Sequence, residues 1–149
     1  MWHRVMTDED ASQYAGLMNA ASVDACQQLT AETVLAQSQR DGFNYWLYDD
    51  GRGGKIGFLY RYVPGCGYRC KVLQYEQVGL GYEKATEVFA NKLRAELDRA
   101  GVVEFETLGL IKTQPEKIAA IRRVFTEIVE ETDAGQRIRL RLDRTKERT

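Results

Sequence analysis

The chain has 149 residues, 44% hydrophobic and 29% charged, which is the composition of a globular protein rather than a disordered one. Its 21 basic residues nearly balance its 22 acidic ones, and a formal net charge of −1 argues against a surface built to grip a polyanion such as nucleic acid. No apolar run approaches the roughly 18 residues that a membrane helix needs. We therefore expect a single cytoplasmic domain over residues 1–149 that has no membrane partner.

Hydrophobic periodicity predicts a strand, two helices and a three-strand meander in the N-terminal half. The predicted elements are a strand at 2–6, helices capped by Thr7 and Thr30, and strands at 45–48, 56–63 and 68–78. The glycine-rich segment from Asp49 to Gly54 joins two of these strands and predicts a hairpin turn.

The C-terminal half begins with the longest predicted helix. That helix covers residues 82–100 and ends at Gly101, and its apolar stripe includes Ala85, Phe89 and Ala100. The elements that follow are a strand at 102–110, a helix opened by Pro115, and strands at 128–133 and 137–142. The order β-α-α-β-β-β-α-β-α-β-β predicts an α+β fold, with a mixed, largely antiparallel sheet flanked by helices.

A glycine turn between the third meander strand and the long helix is the most informative motif. The segment from Glu76 to Ala85 reads EQVGLGYEKA. Glycines let backbone amides approach a ligand closely, and a helix N-terminus favours negative charge, so the turn predicts an anion cradle suited to a pyrophosphate. It is neither a Walker loop nor a Rossmann fingerprint, because no Gly-Lys-Ser/Thr follows and the strands before it form a meander.

Element order and glycine turn together resemble the GNAT family of N-acetyltransferases over nearly the whole chain. The resemblance implies a GNAT-like fold in which a Gln/Arg-x-x-Gly-x-Gly/Ala turn binds the pyrophosphate of acetyl-CoA, the co-substrate. The pantetheine arm would lie where the strand before this turn splays from the next strand. The implied cofactor-binding residues are Val72, Gln77, Val78, Gly79, Leu80, Gly81 and Tyr82.

Two alignments of the family pattern on this turn remain open. Matching the glycines places Gly79 and Gly81 correctly but puts Glu76 at the Gln/Arg position. Matching Gln77 restores the first position but puts Leu80 and Tyr82 where glycine belongs. A carboxylate facing a pyrophosphate is unfavourable, so the first alignment carries an electrostatic cost.

The family chemistry requires a base for the amine and an acid for the leaving thiolate. Glu76 is the leading candidate base, with Glu104 and Glu106 behind it, although solvated surface carboxylates are the commoner interpretation of all three. The family's acidic tyrosine position is occupied by Phe125, which carries no transferable proton. Then the thiolate leaves without this acid, or Tyr75 or Tyr82 supplies the proton, or the chain transfers no acetyl group. We select Tyr75 with Glu76 as the catalytic pair.

Other chemical groups are better explained by structure. His3 is the only histidine, and Cys66 with Cys70 offers too few ligands for a zinc site, so no metal is expected. The aromatic residues of the meander are expected in the core. Arginines alternate with aliphatic residues at 137–142, which predicts a solvated strand face rather than a grip on nucleic acid.

Two functions follow from this sequence. The first is transfer of an acetyl group from acetyl-CoA to an amine of a small-molecule or protein acceptor, and a homodimer is compatible with it. The alternative is a GNAT-fold protein without acyl transfer that acts as a binding or structural component. Phe125, Glu76 and the shifted turn favour the alternative.

Overall fold

The computed structural model describes residues 1–21, 29–40, 42–62 and 69–145. Its element order is the predicted one, so the fold class is confirmed. The elements are β1 (Trp2–Arg4), α1 (Asp8–Ala21), α2 (Ala31–Ser38), β2 (Phe43–Asp49), β3 (Lys55–Tyr62), β4 (Arg69–Val78), α3 (Tyr82–Ala100), β5 (Glu104–Ile111), α4 (Pro115–Val124), β6 (Ile128–Ala134) and β7 (Arg137–Asp143). The predicted strand ends at Val63 and Tyr68, the turn between them, and Cys26 and Cys66 lie outside the described residues.

The strands follow the order β1-β2-β3-β4-β5-β7-β6 in one seven-stranded sheet. The pairs β1–β2, β2–β3, β5–β7 and β6–β7 are antiparallel, whereas β4 and β5 run parallel. The parallel pair is joined through α3, as a parallel connection requires. The β4–β5 register extends from the Arg69–Glu104 pair to the Val72–Thr107 pair, while β4 itself continues to Val78.

The chain divides into two compact units, and the prediction of a single domain stays a prediction. The first unit contains residues 1–61 and 74–81. In it, Thr7 caps α1 as predicted, because its hydroxyl accepts a hydrogen bond from the Asp10 amide at 3.2 Å. A Cβ at Gly57 of β3 would lie only 3.0 Å from the ring of Tyr14, so this glycine permits close packing of α1 on the sheet.

The second unit contains residues 62–73 and 82–149. Its core includes Phe89 of α3, Phe105 of β5 and Phe125 at the end of α4, all at most 2% exposed. The predicted apolar stripe of α3 is buried at Ala85 and Phe89, but Ala100 is exposed, because it lies in the last turn before the chain leaves the helix at Gly101. Within the described residues, no helix combines the length and the apolar character needed to span a membrane.

The final hairpin has the predicted alternation. Ile138, Leu140 and Leu142 of β7 are buried, while the arginines between them face outward. Arg141 donates a hydrogen bond to Glu130 of β6 at 3.0 Å, so opposite charges meet across the strands and favour this register.

Candidate functional site

The glycine turn predicted from the sequence lies at the end of β4, in the first unit. β4 ends at Val78 and α3 begins at Tyr82, so only three residues join strand to helix. Gly79 has a φ of 79° and Gly81 a φ of 80°. Because side chains strongly disfavour this left-handed region, both glycines are required by the backbone path itself.

The Gln77 side chain holds this turn together. Its carboxamide oxygen Oε1 accepts hydrogen bonds from the amide of Leu80 at 3.2 Å and the amide of Gly81 at 3.0 Å. Two of the amides predicted to face a pyrophosphate therefore already have an acceptor. Gln77 was predicted as a cofactor contact, but its hydrogen bonds within the turn were not. These bonds form because β4 ends at Val78 and the Gln77 side chain folds back over the turn.

The β2–β3 turn packs directly against the glycine turn, a contact that was not predicted from the sequence. A Cβ at Gly79 would lie 2.5 Å from the carbonyl oxygen of Gly53. Asp50 shapes that turn by accepting hydrogen bonds from the amides of Arg52 and Gly54, at 2.6 and 2.8 Å. A Cβ at Gly81, by contrast, would meet no described atom within 4 Å, so the space beside its backbone is open.

The two residues selected for catalysis are both buried. Tyr75 is 5% exposed and Glu76 is 6% exposed, and each has an interaction partner. The interpretation of Glu76 as a solvated carboxylate is therefore wrong. Periodicity did not predict its burial, because two consecutive buried residues break the alternation expected of a strand with one solvated face. A buried carboxylate is a common form of catalytic base, although buried structural carboxylates are also known.

The weaker base candidates, Glu104 and Glu106 of β5, are held in partly exposed ion pairs. Glu106 lies 3.5 Å from the ammonium group of Lys71, and Glu104 lies 3.9 Å from the guanidinium of Arg141. Their side chains are 35% and 30% exposed. These pairs explain both residues as strand-surface carboxylates, in agreement with the commoner interpretation.

Phe125 has a clear structural role. It is 1% exposed, and its ring contacts the rings of Phe89 and Phe105 edge-on at centroid distances of 5.8 and 6.0 Å. The Arg94 guanidinium lies 5.3 Å from the same ring. The residue at the expected acidic tyrosine position therefore belongs to the core of the second unit.

The other predicted cofactor contacts differ in exposure. Val72 is 3% exposed, Val78 is 47% exposed, and Leu80 and Tyr82 are half-buried. Only backbone groups of the two valines can contact a polar ligand, since their side chains are apolar.

His3, Cys70 and the meander aromatics occupy different surroundings in the structure. His3 lies 3.0 Å from Asp10 at the surface, and among the described residues no cluster of His, Cys, Asp and Glu is able to hold a metal. Burial raises the pKa of the Cys70 thiol to about 12, so this cysteine is inert at neutral pH. Tyr45 and Tyr60 are buried in the core, as expected of the meander aromatics.

The same fold occurs in solved structures, over nearly the whole of this chain. A GNAT-family protein from Desulfovibrio desulfuricans superposes with a TM-score of 0.72 at 11% identity, covering 96% of this chain and 98% of that one. The chain has the GNAT fold. The protein yncA from Salmonella typhimurium, whose structure contains its cofactor acetyl-CoA, gives a TM-score of 0.66 at 13% identity, with coverages of 96% and 91%.

A third GNAT-fold structure has an amine bound. The aminoglycoside acetyltransferase AAC(6′)-Ib, in complex with coenzyme A and kanamycin, gives a TM-score of 0.68 at 13% identity, with coverages of 100% and 99%. No family model matches the sequence, and no curated protein matches it significantly. The GNAT fold therefore occurs here at only 11% to 13% sequence identity to these structures.

Proposed function

We propose that this chain is an N-acetyltransferase that transfers an acetyl group from acetyl-CoA to an amine. The observation that carries the proposal is the GNAT fold over nearly the full length of the compared chains, with a glycine turn of left-handed backbone between β4 and α3. Fold alone does not define chemistry, so the turn and the buried Glu76 supply the local argument.

The residues of the turn fit an anionic ligand. Gly81 leaves open space beside its backbone, and Gly79 places no side chain on the turn. The segment from Gln77 to Tyr82 carries no charged side chain. Because the Gln77 carboxamide oxygen already accepts hydrogen bonds from the Leu80 and Gly81 amides, a phosphate would bind other backbone amides of the turn. We assign the diphosphate of acetyl-CoA to backbone groups of the glycine turn in the first unit. Val72, in the second unit, stays a candidate contact for the pantetheine arm.

Two side chains of this protein carry out the proton transfers of the proposed reaction. When bound, acetyl-CoA supplies a thioester, whose C–S bond breaks as the amine nitrogen forms a C–N bond and loses a proton. Glu76, which is buried near the end of β4, accepts that proton. The hydroxyl of Tyr75 donates a proton to the departing sulfur, the role that Phe125 is unable to fill.

We propose a small-molecule amine as the acceptor, in the cytoplasm. AAC(6′)-Ib, which shares the fold, is crystallised with the amine kanamycin. A protein amine is the second acceptor class, and peptide substrates test it in the same assay. The homodimer remains part of the proposal and is tested by light scattering of the purified protein.

Release of the coenzyme A thiol tests this function. The full chain is mixed with acetyl-CoA and a panel of amines, including aminoglycosides, polyamines and lysine peptides, and free thiol is measured with a disulfide dye. We expect amine-dependent release, and Glu76→Gln should lower kcat/KM by at least about tenfold. Glu106→Gln is the matched control, because its partly exposed carboxylate pairs with Lys71, and it should change the rate less than twofold. Equal rates for both variants would remove Glu76 from the role.

The second candidate function is a GNAT-fold protein that binds a ligand without transferring an acyl group. The burial of Phe125 among Phe89 and Phe105 favours it, because no hydroxyl is available at that position. Binding of acetyl-CoA without thiol release on any amine of the panel would support this candidate over the first.

A further inference from the structure

Tyr14 of α1 is a fully buried tyrosine whose hydroxyl has a single hydrogen-bond partner among the described residues. This hydroxyl donates to the carboxamide oxygen Oε1 of Gln74 on β4 at 2.8 Å. Burial raises the pKa of Tyr14 well above its usual value, so the phenol keeps its proton at neutral pH. A buried hydroxyl that donated to nothing would be costly, and the bond therefore fixes which end of the Gln74 carboxamide is turned toward Tyr14.

Close packing holds the Tyr14 ring in place. Its ring meets the ring of Tyr45 edge-on at a centroid distance of 5.0 Å, and the Tyr45 hydroxyl donates in turn to Oε1 of Gln37 on α2. On the β3 side, a Cβ at Gly57 would lie only 3.0 Å from the Tyr14 ring. All of these residues and Gln74 belong to the first unit. The orientation of the Gln74 carboxamide is therefore set within one packed body.

The Gln74 side chain is thereby left with its two N–H donors available. Nε2 has no hydrogen-bond partner in the described ranges of the chain, and the residue is only half-buried. Residues two apart in a strand share a face, so Gln74 and Glu76 lie side by side on β4, about 6–7 Å apart along the strand. This face of β4 thus carries an oriented amide donor next to the buried carboxylate of Glu76.

We propose that Gln74 selects amines that carry a hydroxyl or carbonyl oxygen on the neighbouring carbon, by donating a hydrogen bond from Nε2 to that oxygen while Glu76 accepts the amine proton. This inference rests on the proposed function, because it takes Glu76 as the base. With hydrogen bonds of about 3 Å to each side chain, an amine and an oxygen on adjacent carbons fit between the two tips. Tyr14 is then a positioning residue, since it acts only through Gln74. An alkyl polyamine offers no acceptor to the N–H donors of Gln74 and is a poor substrate.

Matched pairs of amines test this selection in the thiol-release assay with the full chain and acetyl-CoA. Isopropanolamine and isobutylamine differ only in a hydroxyl that takes the place of a methyl group, and glucosamine with cyclohexylamine is a second, larger pair. We expect kcat/KM, calculated for the unprotonated amine, to favour the hydroxylated member about 3- to 10-fold, the effect of one neutral hydrogen bond.

Two variants of the glutamines separate selection from a general loss of activity. Gln74→Glu keeps an acceptor for Tyr14 but removes the N–H donors, so the ratio between the paired amines should fall to about one or below. Gln37→Glu is the matched control, because it makes the same change beside Tyr45, and it should keep the ratio within about twofold. The ratio compares two amines on one enzyme, so a change in overall activity cancels.

Tyr14→Phe removes the orienting hydroxyl and serves if Gln74→Glu does not fold; it should lower the ratio at least about twofold. Equal use of the paired amines by the wild-type protein overturns the inference while the proposed function stands. A ratio that neither Gln74→Glu nor Tyr14→Phe changes, or thiol release only with amines that lack a neighbouring oxygen, overturns it in the same way. If no amine releases thiol, the proposed function fails and the inference fails with it.

Discussion

Gly79 and Gly81 offer a matched pair of substitutions, because they share one backbone conformation and differ in surroundings. Their φ values are 79° and 80°, so alanine at either site incurs the same left-handed strain of about 1–2 kcal/mol. Only at Gly79 would the new methyl group meet another atom, the Gly53 carbonyl oxygen at 2.5 Å. That contact is with backbone, which moves less readily than a flexible side chain, and overpacking of this kind costs about 1–3 kcal/mol more.

We therefore expect Gly81→Ala to lower the free energy of unfolding by about 1–2 kcal/mol and Gly79→Ala by about 2–5 kcal/mol. Urea denaturation followed by circular dichroism measures both, with the m-value checked for two-state behaviour. A Gly53→Ala variant controls for general sensitivity of the β2–β3 turn, since Gly53 also has a positive φ, of 90°. Equal losses at Gly79 and Gly81 would refute the packing of the two turns against each other.

Three further predictions concern Arg94, Cys70 and Gln77. Arg94 donates hydrogen bonds of 3.0 and 2.6 Å to Glu127, whose side chain is fully buried. Arg94→Met should lower the free energy of unfolding by about 3–5 kcal/mol in urea denaturation, because it leaves a buried charge unpaired. Adding Glu127→Leu should restore most of this stability, and no restoration would contradict that explanation. Burial raises the pKa of Cys70 to about 12, above the roughly 8.5 of an unfolded cysteine, so its contribution to stability is complete below about pH 8.5 and is lost as pH rises toward 12. With the other two cysteines replaced by serine, iodoacetamide should label folded protein roughly 100-fold or more slowly than unfolded protein, and comparable rates would show an accessible thiol. Gln77→Ala should weaken acetyl-CoA binding about 3- to 10-fold in calorimetry, because the Leu80 and Gly81 amides lose their acceptor and the turn loosens. Tighter binding would contradict this and would show that the carboxamide competes with the ligand.

The sequence was sufficient for the fold because its local signals agree with one another. The helix at 82–100 has the predicted bounds, since an apolar stripe defines it and glycines stand just before it and just after it. Thr30 caps α2 as expected, accepting a hydrogen bond from the Thr33 amide at 3.1 Å. The strand directions also follow, because short links force antiparallel pairs and the α3 connection allows a parallel one. The place of β7 between β5 and β6 was not predicted.

The candidate site was less predictable, because its contacts join distant parts of the chain. The glycine turn was visible as a motif, but its packing on Gly53 depends on a turn some 25 residues earlier in the sequence. Glutamate is usually a surface residue, and only the tertiary packing shows that Glu76 is buried. The β5–β7 register shift between Thr107 and Leu110 likewise leaves no local signal, since threonine is an ordinary strand residue.

Direct binding of acetyl-CoA is the most decisive measurement for this protein. Isothermal titration of the full chain should show saturable binding of one acetyl-CoA per chain. The Gly81→Ala variant, which remains folded, should bind more weakly, because its methyl group enters the open space beside the turn. An absence of binding at millimolar acetyl-CoA, with a folded protein confirmed in the same sample, would contradict the assignment of the turn to a coenzyme A diphosphate.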